Sequence, residues 1–258
     1  MIEKRIFPEL KQGVVLAELG GYGDGYYCAE HGAGAALVLL GTYVVDPGAR
    51  VPYPAKFVFK PEPSTYNSYL GEHIKAARAS GAKVGVSVIS VELKHTLDFL
   101  VAAQEAGADF ASLCAHSVMP MFTRCGLGEA LCRRANAPAL RRWAEALRNA
   151  LTIPVIFKIG LGDLAETISA VDTLSELGIP IISINVGETT AGSAGLKAVK
   201  QLARHCACLI AGGGIKDVAG ARRVLEQGAA AVAIGTAAMK DKALCGNIQK
   251  QLRAVPPR

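Results

Sequence analysis

Two features of this chain have the residue types and spacing to do chemistry. The first is a lysine inside an otherwise apolar run, Pro154-Val155-Ile156-Phe157-Lys158-Ile159-Gly160-Leu161-Gly162. A lysine is seldom buried unless it is paired or functional. Lys158 therefore reads as a site ammonium, with a structural ion pair inside the fold as the plainer alternative. The second is a pair of glycine-bearing turns, Leu209-Ile210-Ala211-Gly212-Gly213-Gly214-Ile215 and Ala231-Val232-Ala233-Ile234-Gly235-Thr236-Ala237. Glycine lets a backbone come close enough to a phosphate for N–H groups to donate directly, with a helix N-terminus adding its dipole. Two tight turns without a ligand would look similar, but their occurrence as a pair points to phosphate on Gly213, Gly214, Gly235 and Thr236. A phosphorylated substrate or cofactor is then expected.

Other reactive groups are fewer. Asn185 closes the run Ile181-Ile182-Ser183-Ile184, where a capping or turn asparagine is the alternative. His116, Ser117, Arg124 and Cys125 share one long connection. His116 is the group there that titrates near neutrality. Ser117 alone is a poor acid, and Arg124 could grip an anion through both guanidinium edges or simply be solvated. The seven cysteines form no Cys-x-x-Cys pair, and no histidines fall at zinc-site spacing, so a metal is not expected. Reduced thiols in a reducing compartment fit better than a disulfide framework.

The elements that must position these groups alternate regularly. Apolar runs lie at Val14–Glu18, Ala36–Leu40, Val84–Ile89, Phe110–Cys114, Val155–Ile159, Ile181–Asn185, Leu209–Ala211 and Ala231–Ile234. Continuous apolar runs are the signature of parallel strands covered on both faces. Amphipathic stretches lie at Glu72–Ala79, Leu93–Ala106, Ala139–Leu151, Leu164–Leu177 and Val218–Gln227. Ser80-Gly81-Ala82, Ala106-Gly107-Ala108, Leu177-Gly178-Ile179 and Gln227-Gly228-Ala229 place glycine where a helix ends. Eight such units predict an α/β fold, a single-domain (β/α)8 TIM barrel over residues 1–258, in preference to an open doubly wound sheet. The connections at about 41–66 and 115–138 are long, and both follow strand ends, the expected active-site face.

Composition sets the outer bounds. Of 258 residues, 51% are hydrophobic and 19% charged, which excludes a disordered chain. The low-polarity run at Gly32–Val45 is far shorter than the ~20 residues of a membrane span, and MIEKRIFPEL carries no secretory pattern, so a soluble, cytoplasmic protein is expected. The net charge of +6 is mild. Its densest cluster, Arg133, Arg134, Arg141, Arg142 and Arg148, reads as a solvated helix face before it reads as a polyanion surface. The apolar positions of Ala139–Leu151 would suit a homodimer.

Pro154–Gly162 resembles the fifth-strand motif of the tRNA-dihydrouridine synthases and dihydroorotate dehydrogenases. Ser112–Leu131, ending in Gly126-Leu127-Gly128-Glu129-Ala130-Leu131, is similar to the fourth-strand loop of the synthases. Leu16-Ala17-Glu18-Leu19-Gly20-Gly21-Tyr22-Gly23-Asp24 falls where that superfamily has its first-strand flavin loop. Within the superfamily the chain looks most like archaeal-type barrel proteins of unassigned activity, which show Ala-His-Cys where this chain has Ala115-His116-Ser117. The resemblance spans nearly the whole chain and is strongest over strands four to eight.

The resemblance implies FMN as cofactor, with Ala17, Gly20, Lys158, Asn185, Gly213, Gly214, Gly235 and Thr236 binding it. Lys158 would stand at the flavin N1/O2 edge, Asn185 and Arg124 would bind substrate, and Ser117 or His116 would handle a proton. Asn185 matches the dehydrogenases, where the synthases carry histidine. Val84–Ile89 lacks the synthases' glutamine, Cys114 replaces their asparagine, Gly160 replaces an arginine, and no tRNA-binding domain follows Arg258. A small-molecule substrate is therefore expected and tRNA is not. The implied activity is FMN-dependent hydride transfer to or from a C=C bond. The rivals are a flavin-free phosphate-binding lyase or isomerase using Lys158 and a non-catalytic flavin- or nucleotide-binding protein.

Overall fold

The computed structural model describes residues 7–187 and 192–254. Its strands are β1 (Gly13–Leu16), β2 (Leu37–Val45), β3 (Val58–Phe59), β4 (Lys83–Ile89), β5 (Phe110–Ala115), β6 (Val155–Gly160), β7 (Ile181–Asn185), β8 (Cys208–Gly212) and β9 (Ala231–Ile234). They pair in the order β1-β9-β8-β7-β6-β5-β4-β2, with β3 added at the edge of β2, and β1 pairs β2 to close the ring. Every strand pairing is parallel. The result is the expected (β/α)8 barrel.

The helices are α1 (Gly25–His31), α2 (Pro63–Ala77), α3 (Leu93–Glu105), α4 (Pro120–Thr123), α5 (Ala137–Ala150), α6 (Leu164–Glu176), α7 (Ser193–Leu202), α8 (Val218–Glu226) and α9 (Leu244–Ala254). Those following the barrel strands bury one stripe against the sheet. Gly81, Gly107, Gly178 and Gly228 all have positive φ at the expected helix ends. Among the described residues, no helix is long and apolar enough to cross a membrane.

Several expected boundaries are corrected. The second strand does not stop at Leu40 but runs to Val45, all nine residues buried. The helix expected from Glu72 begins at Pro63, which presets φ for a first helical turn. The connection given as 41–66 is therefore shortened at both ends, leaving residues 46–62, which add β3. The connection at 115–138 contains α4 and two 3-10 turns, Gly128–Cys132 and Arg134–Asn136. Helices α1, α7 and α9 lie outside the five amphipathic stretches delimited from the sequence, although eight strand–helix units require further helices. The apolar stripe of α5 packs within the chain, where Leu140, Trp143, Ala144 and Leu147 are buried. Its arginines face solvent: Arg141 pairs with Glu176 at 3.3 Å, and Arg148 donates to the Leu177 carbonyl.

Side chains alternate across a strand, and the inward set changes character along the barrel axis. At the lower level Leu10, Val15, Leu37, Leu39, Phe110, Ile156, Ile181, Cys208 and Ile210 form one apolar plug. Two residues further along their strands the same parity gives Ala17, Ser112, Lys158, Ser183 and Gly212. The polar end of the barrel interior is thus the C-terminal end of the strands.

The bottom of the barrel is tied shut by Gln249 of α9, only 3% exposed. Its Oε1 accepts from the Val14 N–H at 2.7 Å and its Nε2 donates to the Gln12 carbonyl at 3.2 Å. Substituting Gln249→Ala strands a buried strand N–H, so we expect a loss of roughly 1–3 kcal/mol in denaturant unfolding. An unchanged unfolding midpoint would show that the tie contributes nothing.

Candidate active site

The polar mouth contains a buried ion pair. Lys158 Nζ lies 3.2 Å from Glu18 Oε2, with the side chains 13% and 1% exposed. Lys158 reaches inward because it shares the parity of Ile156 in the plug. Glu18 follows the end of β1, where the ladder continues through the Ala17 N–H to the Ile234 carbonyl. Its Oε1 accepts from Ser87 Oγ of β4 at 3.3 Å, and that hydroxyl lies 3.2 Å from Thr42 Oγ1 of β2. Cys114 of β5 is in register with Lys158. Burial pushes its thiol above the ordinary cysteine range.

A cavity of about 650 Å³ opens over this pair, within the range of small-molecule sites. Its lining includes Ala17, Glu18, Lys158, Asn185, Gly213, Gly214, Gly235 and Thr236. Gly213 and Gly214 have φ of 112° and 66°, which only glycine adopts readily. Among the described residues, the backbone N–H groups of Gly213, Gly214, Gly235 and Thr236 make no hydrogen bond. Lys216 and Lys240, both exposed, line the same end. Four uncommitted N–H donors with two lysines make a donor set suited to phosphate. Leu244, the first residue of α9, lines the same cavity. Asp217 caps α8 by accepting from the Gly220 N–H at 2.6 Å, and a turn separates Gly235 from α9.

Asn185 also lines a second, adjoining cavity of about 380 Å³ with His116, Glu129, Gly160 and Glu166. The Gly187 N–H donates to Asn185 Oδ1 at 3.0 Å, which turns the amide NH2 toward His116 Nε2 at 3.2 Å. Nε2 is then the acceptor, and the neutral ring carries its proton on Nδ1. Burial, with the Lys158 ammonium nearby, holds His116 below the ordinary histidine range. A Cβ on Gly160 would lie 2.9 Å from His116 Cδ2. Glycine stands there because the imidazole occupies the space, which explains one departure from the synthase motif.

Not every expected site residue converges. Gly20 lies under Tyr53, whose hydroxyl would be 2.3 Å from a Cβ at that position, and it lines neither cavity. Ser117 also lines neither; its Oγ accepts from the Met119 N–H at 3.3 Å and shapes the turn. Arg124 is exposed at the end of α4, outside both cavities. Gly20 lies on the connection after β1, and Ser117 and Arg124 on the connection after β5. Sequence reasoning missed Glu18, Lys216 and Lys240. The available signals were an acid just beyond an apolar run and a lysine a few residues past each glycine turn. Among the described residues, no group of three or more His, Cys, Asp or Glu could hold a metal.

Two outcomes test the His116 arrangement. Gly160→Ala should displace the imidazole and break its bond to Asn185, costing about 1–3 kcal/mol of stability from overpacking, with a shifted His116 ring signal in NMR. Stability linked to neutral His116 is complete above the ordinary histidine value of 6.5 and is lost as pH falls toward the lower folded value. His116→Gln should flatten that acid-side decline in unfolding free energy; an identical decline would refute the neutral, buried ring.

Comparison with known proteins places the fold and leaves the family open. Residues 186–255 match the family described as histidine biosynthesis protein, well under half the chain. An uncharacterized protein of Methanocaldococcus jannaschii is 30% identical over 158 residues, covering 59% of this chain. The alignment spans 60% of that relative's length. DHODH of Eimeria tenella, crystallised with ferulenol, superposes with a TM-score of 0.70 over 97% of this chain and 85% of its own, at 15% identity. At that identity the likeness establishes the TIM-barrel fold.

Proposed function

We propose that the protein is an FMN-dependent oxidoreductase acting on a small, pyrimidine-like substrate. The observation that carries the reading is the continuity of one cavity, with the Lys158–Glu18 pair deep in the mouth and the uncommitted N–H groups of Gly213, Gly214, Gly235 and Thr236 at its rim. A ligand with a polar ring at one end and a phosphate at the other suits that layout. The donor set fits the flavin phosphate, and the cationic Lys158 fits its ring edge. The DHODH barrel and the first-strand and fifth-strand resemblance support the same choice.

FMN, when bound, supplies hydride exchange with a carbon–carbon double bond; the protein supplies position and charge. Gly213, Gly214, Gly235 and Thr236 hold the phosphate through backbone donors, aided by Lys216 and Lys240. Lys158 sets positive charge at the inner end. The second cavity, sharing Asn185 with the first, receives the substrate. His116 replaces Ser117 as the group holding a proton there, on Nδ1, with Asn185 fixing the ring.

A second reading has its own observation. The histidine-biosynthesis match begins just past β7 and contains both glycine turns, so it supports the phosphate grip without the flavin. On that reading the chain is a phosphate-binding lyase or isomerase. Lys158 is engaged by a carboxylate in this structure, whereas a Schiff-base lysine needs a free amine.

Fluorescence titration separates the two. The purified protein should quench added FMN and bind riboflavin at least about tenfold more weakly, since phosphate contacts are charge-assisted. Lys216→Ala with Lys240→Ala, both exposed, should weaken FMN by a similar factor without changing thermal stability. Failure to bind FMN, with retained binding of inorganic phosphate, would move the protein to the lyase or isomerase class.

A further inference from the structure

Glu18 is a buried carboxylate with one oxygen uncommitted. Its Oε1 is held by Ser87, but among the described residues Oε2 has no hydrogen bond, only the Lys158 ammonium at 3.2 Å. The side chain is 1% exposed and lines the main cavity. A buried carboxylate normally collects as many donors as it can. Here an ammonium donor and a carboxylate acceptor stand side by side, and both residues line the main cavity.

We propose that Glu18 and Lys158 together read a ureide or imide edge, a ring carbonyl adjacent to a ring N–H. Lys158 donates to the carbonyl oxygen and Glu18 Oε2 accepts from the neighbouring N–H. The inference rests on the flavin reading and deepens it, because flavin and pyrimidine-dione rings both carry this edge. The support for Glu18 comes from Ser87 on β4, the strand that lacks the synthases' glutamine. Glu18 is thus a specificity-determining residue: it accepts a protonated ring nitrogen and rejects an alkylated one, whose methyl group would replace the N–H donor beside a charged oxygen.

The probes are FMN, FMN methylated at N3, and uridine monophosphate, each titrated by fluorescence or calorimetry. The unmodified protein should bind the N3-methyl analogue at least about tenfold more weakly than FMN, the loss expected for one charge-assisted bond. Glu18→Ala should erase that discrimination while binding the methylated ring no worse than the parent does. Glu18→Gln, which keeps shape and fold, should reduce the discrimination. Uridine monophosphate binding that also depends on Glu18 would place the edge on a pyrimidine and would equally support the reader. Equal binding of FMN and its N3-methyl analogue to the unmodified protein overturns this inference and leaves the flavin reading standing. Binding of neither ring overturns both.

Discussion

An ammonium and a carboxylate held 3.2 Å apart inside a barrel mouth impose a demanding constraint. Removing both charges from water costs several kcal/mol per ion, and the mutual attraction recovers this only with good geometry and further hydrogen bonds. Here those bonds are few. Ser87 supports one Glu18 oxygen, Thr42 stands behind Ser87, and the rest is left to whatever enters the cavity. The layered interior makes the arrangement feasible, since the apolar plug below excludes water and the polar layer above holds the charges at a cavity wall.

The rest of the site follows from the same axis. Lys158, Lys216 and Lys240 bring cations to the main cavity, against Glu18 and Asp241. The second cavity carries Glu129, Asp163 and Glu166 against Arg133, which itself lies 3.4 Å from Glu129. The two cavities meet at Asn185, so one amide sits at the boundary between a cationic and an acidic chamber. Its orientation is set by a backbone N–H rather than by either charge field.

The barrel was legible because its signals are local and repeated: apolar runs for parallel strands, glycine after helices, paired glycine turns at the last two strands. Lys158 was legible for the same reason, being the wrong residue type for its run. Glu18 was not, since an acid at the edge of a strand looks solvated until the partner strand brings Lys158 to it. Gly20, Ser117 and Arg124 show the opposite failure. Tyr53 roofs Gly20, and Ser117 is engaged by the turn at Met119. Which way a loop side chain turns depends on residues distant in sequence. The length of β2 was hidden by Gly41 and Thr42, which read as a loop opening but form an irregularity after which Tyr43 and Val44 resume the ladder with β4.

The tie made by Gln249 bears on the order in which the molecule can assemble. The first strand emerges from synthesis early, yet its Val14 N–H is satisfied by a side chain from the last described helix. β1 also needs β9 along one edge. The intermediate strands can pair with their sequence neighbours as they appear, but the ring stays open until nearly the whole chain is available. Closure is a contact between residues more than two hundred positions apart, and such contacts slow folding because the loop entropy is spent before the contact rewards it. Until then two bare strand edges are exposed, and the nascent barrel is vulnerable to pairing with another chain.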